Sequence, residues 1–386
     1  MRSDLQEKTA ETGEDKLRWR YQDKAYNEIY RQWRKKNQDS VGFYFAENSS
    51  KLTYQDGVGL IKDFPEEREK HALEKVLDLI GKCMLFCVLC DVFSKYFFPR
   101  ILTWLGFDIN YDFFTNKLYG NSYIIMTIDF LSIFIPRLLA SIYLIITIKI
   151  PFKVILPMKI SNKPMFNVCI PAMLLSSGVC CIISMMSASL FSAVHIRPNY
   201  FVTLPGSVTE AIYFITEQII IISIVREFFC RGIILQLTRQ FGDEFAILIT
   251  SFIMASSRYD ISKFFYSFIA AMVIGYFTIR TGSVLTAVIM KITYLVFNYA
   301  VSFIYYKTDP AYSNVILISF LFACISTGLI FVIRFLYFHS DSFGMVLKNR
   351  YMSLGKKMLL SLTNISIIMW LTGVIIVTLI GVYFTS

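Results

Sequence analysis

The sequence predicts an all-α fold, a polytopic transmembrane helical bundle of about eight to nine spans, and three observations point to it. The chain of 386 residues is 55% hydrophobic and 16% aromatic, above the roughly 45–50% apolar content of soluble domains. Its apolar residues gather into repeated runs near the ~20 residues that cross a hydrocarbon core, where backbone groups must be satisfied inside a helix. Its charges gather in an N-terminal head and in short loops between runs. The lipid bilayer is thus the first partner implied.

Taken in order, residues 1–72 form a polar head. Within it Leu17 to Trp33 interleaves Trp19, Tyr21, Tyr26, Ile29, Tyr30 and Trp33 with Arg18, Arg20, Lys24, Arg31 and Arg34, the pattern of an amphipathic helix. Such a helix lies on an anionic leaflet, docks on a partner, or packs on the protein's own loops. Residues 38–65, with Gly, Asn and Ser between short apolar stretches, read as an irregular connector. Nine apolar runs follow, at 78–98, 122–148, 166–193, 209–229, 243–257, 262–280, 283–305, 314–338 and 358–384. The fifth is short for a full span. The first is no cleavable signal, because a long polar segment precedes it.

The second run contains Asp129, Pro136 and Arg137. Charges at that depth face a bundle interior or a watery cavity; the alternatives are an ion or substrate path and a kinked helix whose charges pair with neighbours. The eight cysteines lie in or at the edge of apolar runs, so no disulfide is implied. Cys83, Cys87 and Cys90 share a helical face, but no histidine or fourth ligand accompanies them, and packing rather than metal is expected. No cofactor is called for.

Charge placement orients the chain, since short loops rich in Lys and Arg stay in the cytoplasm. The loop after the second run carries Lys149, Lys153, Lys159 and Lys163, and the segment before the ninth carries Lys348, Arg350, Lys356 and Lys357 against Asp341. With a cytoplasmic N-terminus and nine crossings both lie inside, the loops near 193–208 and 307–313 lie outside, and the C-terminus emerges outside. The net charge of +10 does not indicate nucleic acid, because the head is balanced in sign and the excess sits in the membrane part. The domains expected are the head at 1–72, N-terminal helices at 73–208, a core at 209–305, and C-terminal helices at 306–386.

The informative stretch is 209–302. It holds Glu217 and Gln218, then Arg226-Glu227-Phe228-Phe229-Cys230-Arg231-Gly232. This string resembles the first motif of the CAAX protease and bacteriocin-processing family, also called Abi or lysostaphin-resistance-like, whose pattern is Glu-Glu-x-x-x-Arg-Gly at a helix end. Phe252 stands where that family has Phe-x-x-x-His, Phe264 to Arg280 with Gly275 resembles its glycine-containing helix, and Thr281-Gly282-Ser283-Val284 resembles the turn before its last catalytic helix. The resemblance implies a helical intramembrane protease in which a glutamate activates water while histidines and an asparagine hold the water and the developing oxyanion. Such chemistry needs a carboxylate base and neutral donors facing the tetrahedral oxygen.

Carried over position by position, the site is degenerate. The first Glu is Arg226, the second-motif His is Ser256, the third-motif His is Lys291, and the Asn four residues later is Leu295, while Asn298 lies one turn beyond. Glu227 and Arg231 remain. His71, His195 and His339 are the only histidines and all lie outside the segment. Arg226 cannot accept a proton and a charged Lys291 has no acceptor. A Glu227–Arg231 pair in the favourable i,i+4 order, bridged to Lys291, is expected to occupy the old catalytic space as an ionic lock.

The function expected is that of a pseudoprotease, a scaffold or regulator of a membrane or envelope protein partner. The resemblance, with a Phe- and Ile-rich composition, points to a bacterial cell membrane. The enzyme alternative is a divergent endopeptidase using Glu227 alone or a Lys291/Ser256 arrangement. The transport alternative lines a path with Asp129, Arg137, Glu217 and Lys291.

Overall fold

The computed structural model describes residues 26, 28–30, 32, 33, 52–55, 59–62, 65–107, 109–112, 117–193, 205–339 and 351–383. The basic residues Arg18, Arg20, Lys24, Arg31 and Arg34 of the head, His195 with the loop near 193–204, and Lys348 and Arg350 lie outside the described residues. Two short antiparallel hairpins, β1 (Leu52–Gln55) with β2 (Gly59–Lys62) and β3 (Ile109–Asp112) with β4 (Lys117–Gly120), accompany a bundle of helices.

Six helical segments are long and apolar enough to cross a bilayer: Ser122–Ile148, Lys163–Met185, Val208–Phe241, Lys263–Thr281, Val284–Lys307 and Ala311–Phe338. A seventh arises if Leu354–Thr363 and Ile365–Leu379, bent by 67°, count as one span. The three remaining runs differ for identifiable reasons. The helix holding the first run, α1 (Pro65–Val92), carries Asp78, Lys82 and Asp91 along its apolar stretch. The fifth run forms a helix of 14 residues, Asp243–Ser256, about 21 Å long and so well short of a ~30 Å hydrocarbon core. The ninth run is interrupted at Asn364, whose side chain accepts from the Ser366 amide and caps the second helix of the bent pair.

After α1 and the short α2 (Phe98–Trp104) come α3 (Ser122–Ile148), the single turn α4 (Phe152–Ile155) and α5 (Lys163–Ala193). The helical rod 208–241 follows, built of α6 (Val208–Phe214), α7 (Ile222–Glu227) and α8 (Leu235–Thr238) joined by wider π-turns. Then come α9 (Asp243–Ser256), α10 (Ile261–Thr281), α11 (Val284–Lys307), α12 (Pro310–Phe338), α13 (Leu354–Thr363) and α14 (Ile365–Tyr383). Close packing of α12 on α5 and of α14 on α1 rests on small residues, as in lipid generally. A Cβ on Gly328 would come 2.6 Å from the Pro171 carbonyl oxygen, and one on Gly81 would come 2.7 Å from Ser366.

The main core joins α1, α3, the rod, α9 and α14 through residues such as Leu73, Ile80, Leu144, Phe229, Phe241 and Trp370. Trp33 of the head enters this core at 3% exposure. Its indole donates to Ile148 O at 3.4 Å, while the hydroxyls of Tyr26 and Tyr30 donate to Gln236. The described aromatic residues of the head thus face the protein's own bundle. Further bonds draw loops to the same end: Val284 N to Pro157 O and Ser161 N to Thr281 O, and Lys357 Nζ to Phe241 O at 2.6 Å. Lys357 also meets Glu69 at 2.7 Å with both side chains fully buried, and Glu69 accepts from the amides of Tyr351 and Met352.

Candidate functional site

The first motif lies inside the rod rather than at a helix end, because the helical path continues past Gly232 to Phe241. Gly232 serves close approach instead of a turn: a Cβ there would stand 2.8 Å from Ile155 O. Successive residues of a helix diverge by about 100°, and the π-turns Ile215–Ile221 and Phe228–Ile234 on either side of α7 are of the kind often found at functional positions. Arg226 and Glu227 therefore serve different surroundings.

Glu227 and Arg231 face inward and both are 0% exposed. Arg231 Nε stands 3.6 Å from Glu227 Oε2. Its two terminal nitrogens donate to Thr250 Oγ1 on α9 and to Ala271 O on α10, each at 2.5 Å. Gly275 leaves room for the guanidinium, since a Cβ there would lie 3.0 Å from Nη1. One planar, five-donor side chain thus ties three helical segments together, and the Glu and Arg left from the motif form a structural joint.

Arg226 faces a cavity of about 260 Å³ together with Lys291 and Leu295, so three of the four positions set against the family's catalytic residues by the resemblance meet there. Arg258, Lys263, Asn298 and Gln218 are among its other polar lining residues. Among the described residues no carboxylate lines it, and neither Glu227 nor Ser256 does. Lys291 is 7% exposed, and its ammonium lies over the Tyr294 ring at 4.8 Å, with Arg258 over the same ring at 5.4 Å, within the range of a cation–π contact. Among the described residues Lys291 forms no ion pair within 4 Å with Glu227 or another acid, and no hydrogen bond joins it to Ser256. Asn298 Oδ1 accepts from the Tyr266 hydroxyl at 2.7 Å. Lys263 pairs with Asp260 at 3.5 Å.

The landmarks further along lie outside the cavity lining. Phe252 packs edge-on against Phe264 and Trp370. Ser256, 5% exposed, ends α9. The turn before α11 uses Gly282 at φ +69°, a left-handed conformation suited to glycine, and Ser283 caps the helix by accepting from Leu285 N.

The charges assigned to a transport path do not converge. Asp129 is exposed on α3, whereas Arg137 is buried and stands 3.6 Å from Asp91 of α1. Tyr259 donates to the same Asp91 oxygen at 2.6 Å. In its loop between α9 and α10, burial and then the Asp91 carboxylate raise the Tyr259 hydroxyl above its ordinary value, so it remains a donor. One oxygen of Glu217 is buried without a hydrogen bond, and Glu217 is not part of the cavity lining. Cys83 and Cys87 are packed in the core, and among the described residues no three His, Cys, Asp or Glu side chains converge to hold a metal ion.

Sequence reasoning missed Arg258, Lys263 and Tyr266 as cavity residues and Asp91 as the partner of Arg137. Arg258 lies between the apolar runs 243–257 and 262–280 and Lys263 at the very start of the second, and nothing local marks either as inward-facing. The cavity walls and the Arg231 joint are drawn from one contiguous stretch, with α3 and α5 closing the side.

Residues 209–299 match the family model of the type II CAAX prenyl endopeptidases, Rce1-like. The match spans the rod, α9, α10 and the first two-thirds of α11, which are the segments that supply Arg226, Glu227, Arg231, Ser256, Lys291 and Leu295. The resemblance read from 209–302 is that of this Rce1-like core, set in a multi-pass helical membrane protein. Neither a curated protein nor a solved structure matches the chain.

Proposed function

We propose that this Rce1-like chain is a pseudoprotease that works by binding, as a scaffold or regulator of a protein partner in the membrane or envelope. The observation that carries the reading is the division of labour at residues 226 and 227. The surviving glutamate is fully buried against Arg231, whereas the cavity is faced by Arg226 and Lys291 where the family has a glutamate and a histidine. A hydrolytic site needs a base within reach of a water and donors aimed at the oxyanion. Arginine cannot take a proton, and a carboxylate held in a structural joint is not offered to water.

The expected setting is a cell membrane with the N-terminus in the cytoplasm and the C-terminus outside. Supporting this, one end of the bundle collects the head, the loop bearing Lys149, Lys153 and Lys159, the Gly282 turn and the start of α13 with Lys356 and Lys357, which is the distribution expected of a cytoplasmic face.

The test is a peptidase assay with prenylated and leader-peptide substrates on the purified full chain, beside Glu227→Gln. The expected result is no turnover above background in either protein. Turnover that Glu227→Gln abolishes would overturn the reading in favour of a divergent endopeptidase.

A further inference from the structure

The cavity presents an imbalance of charge. Arg226, Arg258 and Lys291 reach it from three different segments, α7, the turn after α9, and α11. None of the three has a carboxylate within ion-pair distance among the described residues. Arg226 Nε is buried with no hydrogen-bond partner, and Lys291 is more than nine-tenths buried with its ammonium over the Tyr294 ring and no ion pair within 4 Å among the described residues. Unpaired charges in a low-dielectric interior are costly, and three of one sign repel each other as well. Such an arrangement is stable when an anion occupies the space between them.

The rest of the wall says what kind of anion. Ile133, Phe214, Ile222, Leu295 and Met185 line the cavity, and Met185, at the end of the candidate span Lys163–Met185, is 40% exposed, so the apolar side of the cavity reaches the surface of the bundle. A small inorganic ion would leave that apolar wall unused. A cavity of about 260 Å³ is slightly below the usual range for ligand pockets, roughly 300–1,000 Å³, which suits a headgroup and the first part of a chain whose remainder runs out past Met185.

We propose that this cavity binds an anionic amphiphile, a phosphate or carboxylate head on a hydrocarbon tail, with the head held by Arg226, Arg258 and Lys291 and the tail leaving beside Met185. Arg226 and Arg258 supply forked donors that match an oxyanion, and Lys291 supplies a point charge. Tyr266, bonded to Asn298, keeps the amide in place at the cavity wall. The inference rests on the reading of this cavity as a binding site rather than a hydrolytic one.

The experiment is a binding titration on the full-length chain in zwitterionic nanodiscs, read by native mass spectrometry and thermal shift. Lysophosphatidate, palmitate, an uncharged monoacylglycerol and inorganic phosphate are the probes. Lysophosphatidate or palmitate should bind at least tenfold more tightly than monoacylglycerol and inorganic phosphate, and the tighter of the two identifies the head. Arg226→Gln and Lys291→Met should each weaken that binding about tenfold, whereas Lys82→Gln on the exposed face of α1 should not. Because both substitutions remove a cation without a counter-ion at the cavity wall, each variant should be at least as thermostable as the parent without ligand, so a loss of binding is not a loss of fold. Equal binding of monoacylglycerol would overturn anion recognition, equal binding of inorganic phosphate would overturn the tail, and no binding by any probe would overturn the site. Prenyl-peptide hydrolysis measured on the same sample separates the two claims: hydrolysis together with lipid binding sinks the pseudoprotease reading alone, and silence in both assays sinks this one alone.

Discussion

Two groups of charges sit side by side in the core of this protein and are treated in opposite ways. Around Arg231 the two opposite charges face each other, Glu227 at 3.6 Å, and the guanidinium also donates to Thr250 and Ala271, although both Glu227 oxygens are buried without a hydrogen bond. One residue before Glu227, Arg226 opens onto a cavity where, among the described residues, it, Arg258 and Lys291 have no carboxylate within ion-pair distance. The contrast teaches that adjacent residues of the first motif serve two surroundings, Glu227 with Arg231 inside the packed core and Arg226 at the cavity wall.

The largest effect should come from breaking the packed pair. Arg231→Met leaves Glu227 buried without its counter-ion, a class of change that costs about 3–5 kcal/mol, and should abolish a folded peak in size-exclusion chromatography after detergent extraction. Lys357→Met should act similarly by stranding Glu69; combining it with Glu69→Gln should recover much of the loss in thermal unfolding, and failure of that rescue would mean that the pair itself is not what holds α13 to α1. Of middling size, Gly275→Ala should cost about 1–3 kcal/mol by pressing on the Arg231 guanidinium, and Gly232→Ala should do likewise against Ile155. The cavity wall should respond with the opposite sign: Arg226→Gln or Lys291→Met should raise the melting midpoint of the ligand-free chain by a few degrees, on the order of 1 kcal/mol. Smallest of all, a double-mutant cycle of Glu227→Gln with Lys291→Met should give a coupling below about 0.5 kcal/mol, well under that of Glu227→Gln with Arg231→Met. Equal couplings would restore the three-member lock.

Half of this contrast is legible in the amino-acid sequence and half is not, for physical reasons. The spans at 122–148, 166–193, 283–305 and 314–338 announce themselves by apolar length, which is a local property. The Glu227–Arg231 spacing is local too, four residues on one helix. The Asp91–Arg137 and Glu69–Lys357 pairs join residues distant in the chain, and no periodicity encodes such meetings. The apolar pattern ends the rod too early because Arg231, Gln236 and Arg239 look like the onset of a polar loop, yet each finds a partner inside the protein. Arg239, for example, holds Asp243 at 3.0 Å. A charged residue that is paired in three dimensions reads as an exit from the membrane in one.

The seat of Glu69 also has a consequence for how the chain is made. Its cation, Lys357, and the two amides it accepts from, Tyr351 and Met352, all lie at least 282 positions further along the chain, and Trp370 fills the core against α1. The charged end of α1 is therefore satisfied only once these distant segments have met. A chain cut before residue 351 would keep every landmark of the matched segment and still leave Glu69 without its cation and both amides.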